Sequence, residues 1–113
     1  MASILRGDIY WADLDPAVGH AQSGRRPVLI ISRSTFNDHS GTVIAVALTS
    51  AEPRAGFPLT LELTKTSLPK RTWAKVSQIR TISIKRLTGR LSSCHPSEVE
   101  RVIEGLNELL GKP

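Results

Sequence analysis

Apolar residues gather in short runs and short alternations along most of this chain, and a helical stripe replaces them only at its end. Ile9-Tyr10-Trp11-Ala12-Asp13-Leu14 is rich in strand formers and follows a Gly7-Asp8 turn signal, so a first strand is predicted over 9–14. Asp15-Pro16 ends it, because proline cannot donate to a ladder. A polar, glycine-bracketed loop is predicted over 15–27. Val28 to Ser32 is a continuous apolar run, the mark of a buried strand. The polar stretch 34–41 reads as a connection with room for one helical turn, and Thr42 to Leu48 as a second buried strand closed by Thr49-Ser50. Two prolines give residues 51–58 turn character. Leu59 to Thr64 alternates strictly, as in a half-buried antiparallel strand. Residues 72–82 read as a further strand with a bulge near Ser77, and Arg90-Leu91 as a short last one.

The period then changes. Val99, Val102, Ile103, Leu106, Leu109 and Leu110 fall on one stripe with 3.6-residue spacing. Pro96 suits the first helical position, Glu98 and Glu100 suit the positive end of the helix dipole, and Gly111 ends the segment. The helix glutamates lie off the stripe and read mostly as a solvated face. Many short strands with one terminal helix predict a mainly β fold, a small curved antiparallel sheet or barrel with the helix packed on it.

Composition sharpens this picture. The 113 residues, 40% of them apolar, make a single domain over 1–113 with a core of its own. The formal charge is +5, and residues 1–95 carry 13 Lys/Arg against 6 Asp/Glu, a surplus of +7. The basic field thus belongs to the body of the domain and points to an acidic partner. Cys94 is the one cysteine, which excludes an internal disulfide and fits a reducing compartment. No window approaches a membrane span, and the first eight residues lack the apolar core of a signal segment. A cytoplasmic protein with no membrane partner is expected.

The chemistry concentrates in Gly19-His20-Ala21-Gln22-Ser23-Gly24-Arg25-Arg26-Pro27 and at Thr49-Ser50. If the two buried strands pair antiparallel, the start of one meets the end of the other, and Arg26 and Thr49 become neighbours. A guanidinium fork beside a hydroxyl makes a phosphate cradle. Two solvated loop charges beside a capped strand end fit the same residues equally well. A histidine side chain ordinarily changes charge near neutral pH, so His20 can carry a proton, or serve as an ordinary surface histidine. Lys75, Ser77 and Arg80 can track a nucleic-acid backbone, and Gln78 can read a base edge. Trp73 and Phe57 offer stacking surfaces or core packing. His95 reads as a helix cap. No Cys/His pair has metal-ligand spacing and no dinucleotide or phosphate-loop glycine pattern occurs, so neither metal nor cofactor is expected. Asp13 and Asp15 alone leave a Mg²⁺ site open.

Taken in order, Arg6-Gly7-Asp8-Ile9-Tyr10-Trp11, Leu14-Asp15-Pro16, Val18-Gly19, Gln22 to Ile30, Phe36-Asn37, Leu48-Thr49-Ser50 and Gln78-Ile79-Arg80-Thr81-Ile82 resemble the MazF/PemK toxins of bacterial type II toxin–antitoxin modules. The resemblance covers roughly residues 6–110. It implies a small SH3-like barrel of the PemK/CcdB type with a C-terminal helix, and a homodimer. It implies metal-independent, sequence-selective cleavage of single-stranded RNA, inhibition of translation, and a cognate acidic antitoxin that covers the RNA groove. The family's catalytic arginine and hydroxyl fall on Arg26 and Thr49, and the histidine of the PemK-like branch falls on His20. Arg25, Gln22, Ser50, Lys75, Ser77, Gln78 and Arg80 are then the RNA-binding set. Two departures stand out: Ala21 where many members have glutamate, and Lys75 with Ser77 where the PemK-like branch has arginine and aspartate. The implied reaction is attack by the ribose 2′-OH, leaving a 2′,3′-cyclic phosphate and a 5′-OH. A topoisomerase-poisoning toxin and a silent RNA-binding barrel are the alternative expectations for the same fold.

Overall fold

The computed structural model describes residues 3–14 and 24–112. Over these the chain runs through β1 Asp8–Leu14, β2 Gly24–Ile30, α1 Ser34–Ser40, β3 Thr42–Thr49, β4 Thr60–Glu62, β5 Trp73–Ser83, a 3₁₀ turn at Ile84–Arg86, β6 Leu87–Ser93 and α2 Pro96–Leu110. All strands join one sheet in the order β4-β5-β3-β2-β1-β6, with every neighbouring pair antiparallel. The fold is mainly β with a C-terminal helix, as the pattern predicts. Among the described residues the sheet is open: β4 pairs only with β5 and β6 only with β1, so the ladder does not close into a barrel.

Period two decides which side chains go where. Val28 and Ile30 join Ala12, Val43, Ala45 and Ile82 on one face of the sheet. Leu29 and Ile31 join Ile9, Val46, Leu48, Ala74 and Val76 on the other, where α2 covers them with Val99, Val102 and Leu106. Each such helix side chain, moved from water to this face, contributes about 1.5–3 kcal/mol. Gly105 lets α2 come close: a Cβ there would lie 3.0 Å from the Pro58 carbonyl oxygen and 3.3 Å from Val76.

Three local features differ from expectation. β2 begins at Gly24, not Val28, so Arg25 and Arg26 are strand residues instead of loop residues. Gly24 takes φ +106°, a conformation glycine adopts at no steric cost, and from there the strand pairs with β1. Pro27 is tolerated because β2 has β1 alone as neighbour at that point; the ladder to β3 starts at Val28. β6 runs over seven residues, held by β1, where only Arg90-Leu91 was expected. Glu98 is buried at 7% exposure and not part of a solvated face.

The bulge expected near Ser77 is present. Val46 lies opposite Ile79 but Ala47 lies opposite Lys75, leaving Val76, Ser77 and Gln78 without opposite numbers. Such an insertion bends a strand and re-aims its side chains. Here it leaves Ser77 through Thr81 exposed beside the ends of β2 and β3.

Candidate active site

Antiparallel pairing brings the start of β2 to the end of β3. The ladder begins with Val28 opposite Ala47, and just beyond that end Arg26 and Thr49 line the same groove. Both point to the face that carries Val28 and Ala45, away from α2. The adjacency expected from sequence is therefore real, and its support is rigid strand on both sides.

Arg26 and Thr49 lie in a groove of about 550 Å³. Leu14, Val28, Ala47 and Leu48 supply its apolar walls, and Lys75, Gln78 and Arg80 of β5 its far rim. No Asp or Glu among the described residues lines it. Among the described residues Arg26, Lys75 and Arg80 have no hydrogen-bond or ion-pair partner, so their charge is uncompensated and faces one trough. Walls of low dielectric focus such a field on an incoming anion. The Thr49 hydroxyl oxygen accepts from the Ala51 N–H at 3.1 Å. With the oxygen accepting that bond, the hydroxyl proton stays free to donate to another acceptor.

The remaining expected residues divide. Gln78, Lys75 and Arg80 come together with the central pair, whereas Ser77 stands exposed in the bulge and does not line the groove. Arg25 points to the opposite face from Arg26, as alternate strand residues must. Its Nε donates to Thr88 Oγ1 at 3.2 Å and its guanidinium lies 5.0 Å from the Trp11 ring centroid. Ser50 belongs to a second cleft, described next. His20, Gln22 and Ala21 lie outside the described residues, as does Asp15. Neither aromatic candidate lines the groove: Trp73 is buried, with Arg71 4.8 Å from its ring centroid, and Phe57 packs under Arg101, 3.6 Å from its own. His95 caps α2, its Nδ1 accepting from the Ser97 N–H at 3.2 Å.

On the other side of the central pair is a cleft of about 410 Å³ that the sequence reading missed. Arg26, Leu48 and Thr49 border it too, so the pair stands on the seam between two concavities. Trp11, Pro27 and Leu91 form one part of its lining, Leu68, Pro69 and Lys70 another, with Ser50 and Thr72 at hand. The signal available in sequence was the Leu68-Pro69-Lys70-Arg71 segment, an apolar and basic turn between two predicted strands. The segment that carries it is tied to α2. Glu98 accepts from Thr66 Oγ1 at 2.6 Å and from the Lys65 N–H at 3.0 Å, and Thr66 Oγ1 accepts from the His95 N–H at 2.9 Å. Cys94 beside this cluster is buried, and burial pushes its thiol above the usual range, which suits a packing role and not a nucleophile.

Comparison with known proteins places this geometry. A family model described as PemK-like, MazF-like toxin of type II toxin–antitoxin system matches residues 5–110. The endoribonuclease MazF of Staphylococcus epidermidis is 40% identical over 110 residues, covering 96% of this chain and 92% of that protein. Among solved structures, MazF from Deinococcus radiodurans superposes with a TM-score of 0.82 at 26% identity, over 99% of this chain and all of that one. An endoribonuclease from a mycobacterial species, solved in complex with its cognate antitoxin, gives 0.77 at 27% identity, over 98% of each chain.

Proposed function

The chain belongs to the PemK-like, MazF-like toxins of type II toxin–antitoxin systems, and on that footing we propose that it is an endoribonuclease cutting single-stranded RNA at a phosphate held by Arg26 and Thr49. One observation carries the reading: a guanidinium at the start of β2 and a hydroxyl at the end of β3 border one groove with Lys75 and Arg80 and, among the described residues, no carboxylate.

The chemistry follows from what those groups can do. The ribose 2′-oxygen attacks the adjacent phosphorus, forming the 2′-O–P bond while the bond to the 5′-oxygen breaks. The products are a 2′,3′-cyclic phosphate and a free 5′-OH. Charge builds on the non-bridging oxygens of the pentavalent phosphorus. Arg26 lies ready to neutralise it with two parallel N–H donors, and Thr49 adds an O–H donor. One proton must leave the 2′-OH and one must reach the 5′-oxygen. A guanidinium holds its proton throughout the physiological range and is a poor base, so the proton carrier in this scheme is His20, with Arg26 as electrostatic stabiliser. Lys75 and Arg80 hold the flanking backbone, and Gln78 is placed to meet a base edge.

The partners follow from the same surface. An acidic antitoxin segment would occupy the basic groove in competition with RNA. A second copy of the chain would cover apolar surface such as Leu110, 75% exposed at the end of α2. Among the described residues no helix is long and apolar enough to cross a membrane; the cytoplasm, where messenger RNA is translated, is the proposed site of action.

The test is cleavage of single-stranded RNA in EDTA by the protein and by Arg26→Ala. The protein should cut, and the variant should lose at least about a hundredfold in rate. Equal cutting by both would remove Arg26 from the chemistry.

A further inference from the structure

The cationic groove accounts for the RNA backbone, but the pair that holds the phosphate also opens onto the second cleft, whose lining is of a different kind. Six of its residues are Trp11, Pro27, Leu48, Leu68, Pro69 and Leu91, all apolar, and Arg26, Thr49 and Ser50 border it. A phosphodiester seated at Arg26 and Thr49 has a nucleoside on each side. The rim of Lys75 and Arg80 lies in one direction. In the other direction the apolar cleft begins at the same two residues. We propose that this cleft seats the base of one of the two nucleotides that share the scissile phosphate, and so registers the RNA for cleavage.

Three observations favour a base as the occupant. The cleft, at about 410 Å³, lies in the size range of small-ligand sites and is mostly apolar with a few polar groups, as such sites are. Its aromatic member is held in place. Arg25 stacks at 5.0 Å from the Trp11 ring centroid, its Nε donates to Thr88, and the Thr88 hydroxyl donates to the Trp11 carbonyl oxygen at 3.4 Å. A fixed ring and proline faces suit a flat heterocycle, which gains by stacking whatever its sequence identity. Finally, the cleft is continuous with the phosphate site, so a base there needs no chain between them other than its own ribose. This gives Arg25 a role the sequence reading did not foresee: it acts through Trp11, as a positioning residue, and not on the phosphate.

The proposal rests on the reading of the chain as a ribonuclease, and the test separates the two. Single-stranded RNA oligonucleotides are prepared with an abasic ribonucleotide, 2′-OH retained, at either position flanking the cleaved bond. The unmodified protein should cut the intact oligonucleotide, and one of the two abasic substrates should lose roughly tenfold or more in kcat/KM, with the loss mainly in KM. Leu68→Ala, and separately Arg25→Gln, should weaken cutting of the intact substrate while narrowing the gap to the abasic one. Equal cutting of the intact and both abasic substrates would overturn the base site while leaving the ribonuclease intact. No cutting of any of them, in protein shown to be folded by circular dichroism, would instead refute the ribonuclease reading. If Leu68→Ala leaves the abasic gap unchanged but loses affinity for an acidic antitoxin segment, the cleft belongs to that partner and the base assignment is wrong.

Discussion

At Arg26 a shift of one position would move the guanidinium to the other face of the sheet, since successive strand side chains point to opposite sides. Arg25 demonstrates this: it leans on Trp11 and Thr88 while Arg26 enters the groove. The sequence shows two adjacent arginines before a proline; that they point to opposite faces follows from β2 beginning at Gly24. Thr49 was easier to identify, because a hydroxyl residue at the end of an apolar run is conspicuous. Its orientation through the Ala51 N–H was not legible, since that turn is set by tertiary structure. The hydroxyl is the part of Thr49 that the account needs. Thr49→Ser should keep most of the activity, whereas Thr49→Val, which keeps the shape, should lose about a hundredfold in kcat. Single-turnover rates on one oligonucleotide check this, and a Thr49→Val protein as fast as Thr49→Ser would exclude the hydroxyl from transition-state stabilisation.

Among the elements, β1, β3, β5 and the terminal helix could be read from their residue types and periods, because each buries a face against the next layer, whereas β4 is shorter than its alternation suggests and β6 longer than its two apparent residues. The bulge in β5 could be read too, since the polar Ser77-Gln78 pair interrupts an otherwise strand-like run. The segment between β4 and β5 could not. Its Leu68, Pro69 and Lys70 have no period, and its position depends on a polar tether that joins residues some thirty apart in sequence. Glu98 is the centre of that tether and looks, on a helical wheel, like one more surface glutamate. Removing it should cost more than a surface change. Glu98→Ala leaves the buried Thr66 hydroxyl and the Lys65 N–H without their acceptor, a loss of about 1–3 kcal/mol. Urea denaturation should show a lowered midpoint of that size, while Glu108→Ala, on the exposed face of α2, should change stability by less than about 0.5 kcal/mol. Equal effects of the two changes would mean that the tether contributes nothing.

For the whole molecule, the surplus of +7 on residues 1–95 foretold an acidic partner but not where it binds. The fold brings Arg26 of β2 and Lys75 and Arg80 of β5 around the end of β3, the surface on which the proposed RNA contact rests. Binding should therefore carry a salt dependence with a local origin. In an Arg26→Ala background, which should bind RNA without cutting it efficiently, adding Lys75→Ala and Arg80→Ala should flatten the plot of log affinity against log salt by about 1.4, at about 0.7 per phosphate contact on a single strand. Changing Lys85 and Lys112, which do not line the groove, should leave the slope nearly unaltered. The central claim is that this charged trough holds a phosphate for attack by its own ribose. The most direct measurement compares a single-stranded RNA oligonucleotide with the same oligonucleotide carrying one 2′-deoxy sugar at the nucleotide 5′ to the cleaved bond. The first should be cut to a 2′,3′-cyclic phosphate and a 5′-OH and the second should stay whole; cleavage of the deoxy substrate at that bond would contradict attack by the 2′-oxygen.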